Sequence, residues 1–280
     1  MSGFPTEEQL DLLCDRAAGL FVYATAVIRF IDQKNKNPKK QLHHLLQSLE
    51  SGFEGRTRLG SNLTLDSLYS SILRKAFGDD DPKDDPDVRS VLGTVVLAVN
   101  PLSPSAIAAL LGFDPDDVFP LLSSVHSLLV LRDDINHPVQ PFHKTFPDFI
   151  VDPTRCVNPR FRVCPSDQHS QLLIGCLELM NRTLVKNMCQ LPEAVTNSDV
   201  SDLAERIKRF IDPALRYACS SWHMHFIRGP TTSIFTPKIT SALHNFLETK
   251  FLFWLEVLSV LCSVRNAVDA LQAVIDWLEV

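Results

Sequence analysis

The 280-residue chain is 45% hydrophobic and carries a formal charge of -6, so it has the apolar content for two or three packed units and is far from the composition of a disordered segment. An acidic chain with no clustered basic surface argues against a general affinity for nucleic acid or anionic membrane. Seven cysteines, mostly inside apolar periodic stretches, behave as small hydrophobes and fit a reducing cytoplasm. The start lacks a basic segment followed by an apolar one, which argues against secretion and makes the N-x-T triplets at Asn62 and Asn181 incidental.

Thr6 and Gln9 form a capping box, and Leu10, Leu13, Cys14, Ala17, Phe21, Ala24, Ile28 and Ile31 follow at helical spacing. This predicts one helix over 7–33. Its longest apolar run, "AAGLFVYATAVI", is 12 residues closed by Arg29, well short of the ~20 that span a bilayer. Pro38 opens a second helix carrying Leu42, Leu45, Leu46 and Leu49, residues 51–62 read as a Gly-rich loop, and Leu65 to Phe77 mark a third helix. "GDDDPKDDPD" holds six aspartates and two prolines; it cannot pack and marks the clearest boundary in the chain.

Beyond it, the spacing predicts a helix over 86–99, a shorter one with Ser103 as N-cap and Gly112 as stop, and a third capped by Asp114 near 115–126. "LLVLRDDINHPVQPFH" is then a strand, a polar turn and a second strand. Three short helices and a hairpin are the order of a winged helix. After the loop "DPTRCVNPRFRVCPSD", helices are expected at about 167–181, 201–211, 213–226, 237–247, 249–263 and 265–279. Trp222, Trp254 and Trp277 all lie there, as a large helical core requires. The fold class is therefore mainly α: a winged-helix unit with a small β-hairpin, followed by an irregular α-helical array.

Neither GxxxxGK[ST] nor GxGxxG, GxSxG or HExxH occurs, which argues against autonomous nucleotide hydrolysis and for a chain that is not an enzyme. Cys156, Cys164, His169 and Cys176 are spaced 8, 5 and 7 apart, unlike the tight CxxC pairs of structural zinc, so no metal is expected. His223 and His225 are two apart on a helix and point about 160° from each other, too far to share a ligand. The third helix of the winged-helix pattern, "PDDVFPLLSSVHSL", holds two aspartates and no lysine or arginine; phosphates would repel it, against a DNA-binding reading. In "PFHKTFPDFI", His143 is either a strand-end histidine bonded to a neighbour or an N–H donor presented to a phosphate, and composition leaves both open.

"GLFVYATAVIRFI", "LYSSIL", "PLSPSAIAALLG", "LLSSVHSLLV", "PFHKTFPDFIVDPTRC", "RYACSSWHMHF" and "FLETKFLFWLEVLSVL", in that order over nearly the whole chain, resemble the region after the nucleotide-binding core of NACHT proteins. These are STAND-class signalling NTPases related to the NOD-like receptors of innate immunity, and the likeness is greatest to those of mushroom-forming fungi. The resemblance implies helices from the end of a NACHT core over 1–50, a helical connector and acidic loop over 51–85, the winged helix over 86–155 and an α-helical linker over 156–280. It also implies that His143 takes the place of the H-x-S-F histidine that contacts the β-phosphate of bound ADP. Thr145 stands for the serine, with Phe146 and Phe149 packing the helix behind. ADP, ATP or GTP would be held only in a complete NACHT protein, since the P-loop and Mg-binding motif are not in this sequence. The implied function is a non-catalytic regulatory or scaffold module coupling nucleotide state to oligomerisation, partnered by a NACHT nucleotide-binding domain in cis or trans. The rival expectation is a helical protein-interaction module with no nucleotide link, using surface around Phe251, Phe253 and Trp254; Leu10, Phe21 and Ile28 are expected to be exposed without a parent domain.

Overall fold

A computed structural model describes residues 4–33, 36–51, 61–78, 86–192, 196–229 and 236–279. The fold is mainly helical, and among the described residues the β-structure is one two-stranded hairpin. The expected helix over 7–33 is two: α1 (Glu7–Ala17) and α2 (Phe21–Ile31). The Thr6/Gln9 capping box is present at the start of α1. The break lies at Ala18 and Gly19, with φ of 46° and 81°, where Ala18 caps α1 by donating to the Cys14 carbonyl at 3.2 Å. Glycine takes that left-handed backbone without a Cβ penalty, which is why an unbroken apolar period still ends here. The acidic stretch and most of the 51–62 loop lie outside the described residues.

The chain divides into two compact units, one of Met1–Leu92, Pro120–Asp133 and Val139–Val163, the other of Gly93–Phe119, Asp134–Pro138 and Cys164–Val280. In unit 1, α2 packs on α3 (Pro38–Ser51), and α3 on α4 (Ser61–Phe77). The leucines at 42, 45 and 49 and the α4 residues Leu65, Leu68, Tyr69 and Ile72 are almost fully buried. α5 (Pro86–Leu97) and α7 (Pro115–Ser124) are each divided between the units. Strands β1 (Leu129–Val130) and β2 (Gln140–Pro141) pair antiparallel, Leu129 opposite Pro141 and Val130 opposite Gln140. The ladder is shorter than the apolar pattern suggests because Pro141 has no N–H to extend it. α8 (Thr145–Val151) follows directly.

Unit 2 is built on α9 (Pro165–Thr183) and α11 (Pro213–Arg228), which pack along each other. α6 (Pro104–Leu111), capped by Ser103 and stopped by Gly112 at φ 74°, crosses α9 at Gly175, where a Cβ would lie 2.2 Å from the Leu110 carbonyl oxygen. After α10 (Leu203–Phe210), the expected separate helices over 237–247 and 249–263 are one continuous path: α12 (Pro237–Asn245), a π-helical turn (Phe246–Lys250) and α13 (Phe251–Val260). α14 (Arg265–Leu278) packs on α11 and α13. Trp222, Phe246 and Trp254 form the aromatic centre, with ring centroids 5.5–6.0 Å apart and edge-on, the geometry aromatic quadrupoles favour. The Trp254 indole donates to the Cys219 carbonyl at 2.8 Å.

Candidate functional site

The end of the hairpin is fixed from behind by Arg29 on α2. Its guanidinium donates to the carbonyls of Ser127 at 3.3 Å and His126 at 2.8 Å, and also to Leu129. It lies 4.5 Å from the centroid of the Phe142 ring. One rigid, five-donor cation thus gathers the turn before β1 and the residue after β2. Phe142 also donates its N–H to the Leu128 carbonyl at 2.8 Å. His143 comes next and is exposed, with exposed Lys144 beside it.

Behind His143, α8 turns its apolar face inward. Phe146, Phe149 and Ile150 are buried, and the Tyr69 ring of α4 lies 5.5 Å from Phe146 and 5.4 Å from Phe149. Thr145 opens this helix, half-buried, with its Oγ1 2.7 Å from the Tyr69 hydroxyl and 2.9 Å from His143 Nδ1. The Thr145 backbone N–H also donates to Nδ1, at 3.3 Å. An N–H can only donate, so Nδ1 accepts and the neutral ring carries its proton on Nε2. Burial raises the Tyr69 pKa, keeping the phenol protonated and able to donate. The consistent assignment runs Tyr69 O–H to Thr145 Oγ1, Thr145 O–H to His143 Nδ1, and leaves Nε2–H directed away from this chain of bonds. Held so, an exposed imidazole is a positioned hydrogen-bond donor, the chemistry an anionic oxygen accepts.

All four residues singled out from the sequence, His143, Thr145, Phe146 and Phe149, meet at this corner. The sequence reading missed the backing. Asp66 on α4 is buried and takes both arms of the Arg155 guanidinium, at 3.0 and 2.7 Å, which ties the loop after α8 to the same helix that supplies Tyr69. Arg29 was visible only as the end of an apolar run. These partners lie 76, 89 and about 100 residues away and leave no periodic signal.

His225 is sealed in unit 2. Its Nε2 lies 2.7 Å from the Tyr217 hydroxyl and its Nδ1 2.9 Å from His169 Nδ1; Val99 N–H donates to the Tyr217 oxygen at 3.0 Å. Tyr217, His225 and His169 thus form one line of buried hydrogen bonds. Burial pushes the His225 pKa down to about 3, with His169 and Arg228 adding repulsion. His223 faces elsewhere and shares neither partner. Among the described residues no three His, Cys, Asp or Glu side chains are placed to hold a metal ion, all seven cysteines are free, and no helix is long and apolar enough to cross a membrane. Of the apolar surface expected around Phe251, Phe253 and Trp254, the Trp254 ring is fully buried in the aromatic centre, while Phe251 and Phe253 are half-buried. Leu252, between the two phenylalanines, is an exposed large hydrophobic, at 70%. Leu10, Phe21 and Ile28 are exposed as expected, Phe21 at 84%.

No protein-family model matches the chain, and no solved structure does. Among curated proteins, it is 23% identical over 287 aligned residues to the vegetative incompatibility protein HET-E-1 of Podospora anserina. The alignment takes in 94% of this chain and 19% of that protein's length. The chain is distantly related to this fungal protein and spans under a fifth of it.

Proposed function

We propose that the chain is a non-catalytic regulatory segment of a NACHT-type signalling NTPase, with His143 as a contact to the phosphates of a nucleotide held by a separate P-loop domain. The observation that carries this reading is the exposed His143 ring, fixed by Thr145 and Tyr69 so that Nε2–H is the free donor. The distant relation to the fungal vegetative incompatibility protein HET-E-1 is in keeping with the class that the sequence resembles. The order α5, α6, α7, β1, β2, α8 supports a winged helix whose wing carries the histidine. Thr145 keeps the hydroxyl that the H-x-S-F serine supplies, and gives it a use: orienting the ring. The partner is the nucleotide-binding domain, in cis or trans, and the apolar face of Leu10, Phe21 and Ile28 is the surface such a domain would cover. ADP, ATP or GTP binds only in that assembly, in the cytoplasm. The module couples nucleotide state to conformation.

The test is ADP retention through desalting of a complete NACHT protein carrying this segment. His143→Ala is expected to shorten retention at least tenfold, His143→Gln to keep part of it, and Lys144→Ala to change it less. Unchanged retention in His143→Ala refutes the phosphate role.

A further inference from the structure

Arg29 is the only charged residue among the 11 of α2, and it stands at the edge between that helix's two faces. At 100° per residue, exposed Phe21 and Ile28 lie within about 20° of each other, and Arg29 lies about 80–100° away from them. Tyr23, Ala26, Val27 and Phe30 occupy the opposite, buried side. A half-buried charge loses hydration and is kept where its donors find acceptors. Burial lowers the Arg29 pKa, and among the described residues its partners are neutral: the carbonyls of His126, Ser127 and Leu129 and the face of the Phe142 ring. Backbone carbonyls carry no sequence, so the guanidinium holds the path of the chain. It does so on both sides of the hairpin. A leucine or methionine at this position would pack the helix as well and would hold neither side.

Phe142 connects this clamp to His143. Its ring lies against Arg29, its N–H is bonded to the Leu128 carbonyl at 2.8 Å, and His143 is the next residue. His143 is thus held at two points. Thr145 orients the ring, whereas Phe142 sets where the residue itself stands. Thr145 and Tyr69 belong to α8 and α4, and Arg29 belongs to the helix that carries Phe21 and Ile28 on its outer side. All of these residues lie in unit 1.

We propose that Arg29 is a positioning residue for the His143 donor: it fixes Phe142 and so ties the donor's place to α2, the helix whose outer face the nucleotide-binding domain would cover. This rests on the phosphate role proposed for His143. A domain seated on Phe21 and Ile28 then meets the donor at a set place, because one short helix carries both the footing and the clamp.

Two measurements separate the clamp from the phosphate role. In the whole chain without nucleotide, heteronuclear NOEs report the order of the Phe142, His143 and Thr145 amides. Arg29→Met is expected to lower them and to leave those of Phe149 and Ile150, in the helix that follows, unchanged. Arg29→Lys should restore most of the order, since an ammonium in place of Nη2 still reaches the His126 and Leu129 carbonyls and only the Nε bond to Ser127 is lost. Phe142→Leu, which removes the ring and leaves every carbonyl bond, should fall between, and it keeps the question open to test if Arg29→Met does not fold. Unchanged order in either Arg29→Met or Phe142→Leu, or a loss spread evenly through α8, overturns the proposal. In a complete NACHT protein carrying this segment, Arg29→Met is expected to shorten ADP retention about three- to tenfold, but less than about twofold in a His143→Ala background, because it acts through that ring. Equal losses in both backgrounds overturn the positioning role and leave the phosphate role standing. If His143→Ala alone changes nothing, the phosphate role falls, and the order at His143 in the free chain still decides the clamp.

Discussion

His143 in unit 1 and His225 in unit 2 are each connected to a tyrosine hydroxyl, one through Thr145 and Tyr69, the other directly to Tyr217. The two arrangements end differently. Around His225 both ring nitrogens are consumed inside the fold and the side chain is fully buried; around His143 one nitrogen is consumed and the other is left facing out. A histidine whose hydrogen-bonding capacity is saturated by its own chain has a packing role. A histidine half-saturated, with the bonded half over-determined by a hydroxyl and a backbone N–H, is positioned for something outside the chain.

The contrast can be broken from the unit 2 side first. Trp254→Ala removes a fully buried ring and its bond to Cys219, and is expected to cost unit 2 about 3–5 kcal/mol in urea unfolding by circular dichroism. Acidification acts on the same unit. His225 is held near 3 when folded against an ordinary 6.5, so the unfolded state binds the proton first. Its contribution is complete above pH 6.5 and is lost as the pH falls toward 3. His169 and His223 are shifted the same way by burial. By about pH 5, where carboxylates remain ionised, His225 alone should lower stability by about 2 kcal/mol. All three tryptophans lie in unit 2, so tryptophan fluorescence follows this loss directly. A flat midpoint between pH 7 and 5 would show that His225 is not sealed.

In unit 1, Asp66→Asn leaves the half-buried Arg155 with a neutral partner and should cost about 2 kcal/mol. Hydrogen exchange should locate the loss in α4 and α8, with α9 and α11 unchanged. Equal loss of protection in α9 and α11 would show that the effect is not local.

The helical class and the hairpin leading into a helix at His143 were legible in the sequence, because apolar periods, Pro38, the Thr6/Gln9 box and the Ser103 cap are local signals. The break at Ala18 and Gly19 was legible in principle: a glycine inside an apolar run is a left-handed cap as readily as a packed residue. What periodicity could not carry was the site's backing. Tyr69, Arg29 and Asp66 all fall on helical faces that read as ordinary, and their partners are chosen by tertiary packing. The role of Thr145 was legible only as a hydroxyl retained in place of serine; its link from His143 to a buried phenol is made by tertiary packing.

The most direct measurement is a long-range proton–nitrogen NMR spectrum of the His143 ring in the intact chain, at a pH where the imidazole is neutral, beside that of Thr145→Val. The account predicts the Nε2–H tautomer in the wild type, and in Thr145→Val a shift toward mixed tautomers with a stability loss of about 1 kcal/mol from the missing hydroxyl. An Nδ1–H tautomer, or a ring that averages both forms while Thr145 is intact, would contradict it, because His143 would then have no fixed donor to offer a phosphate.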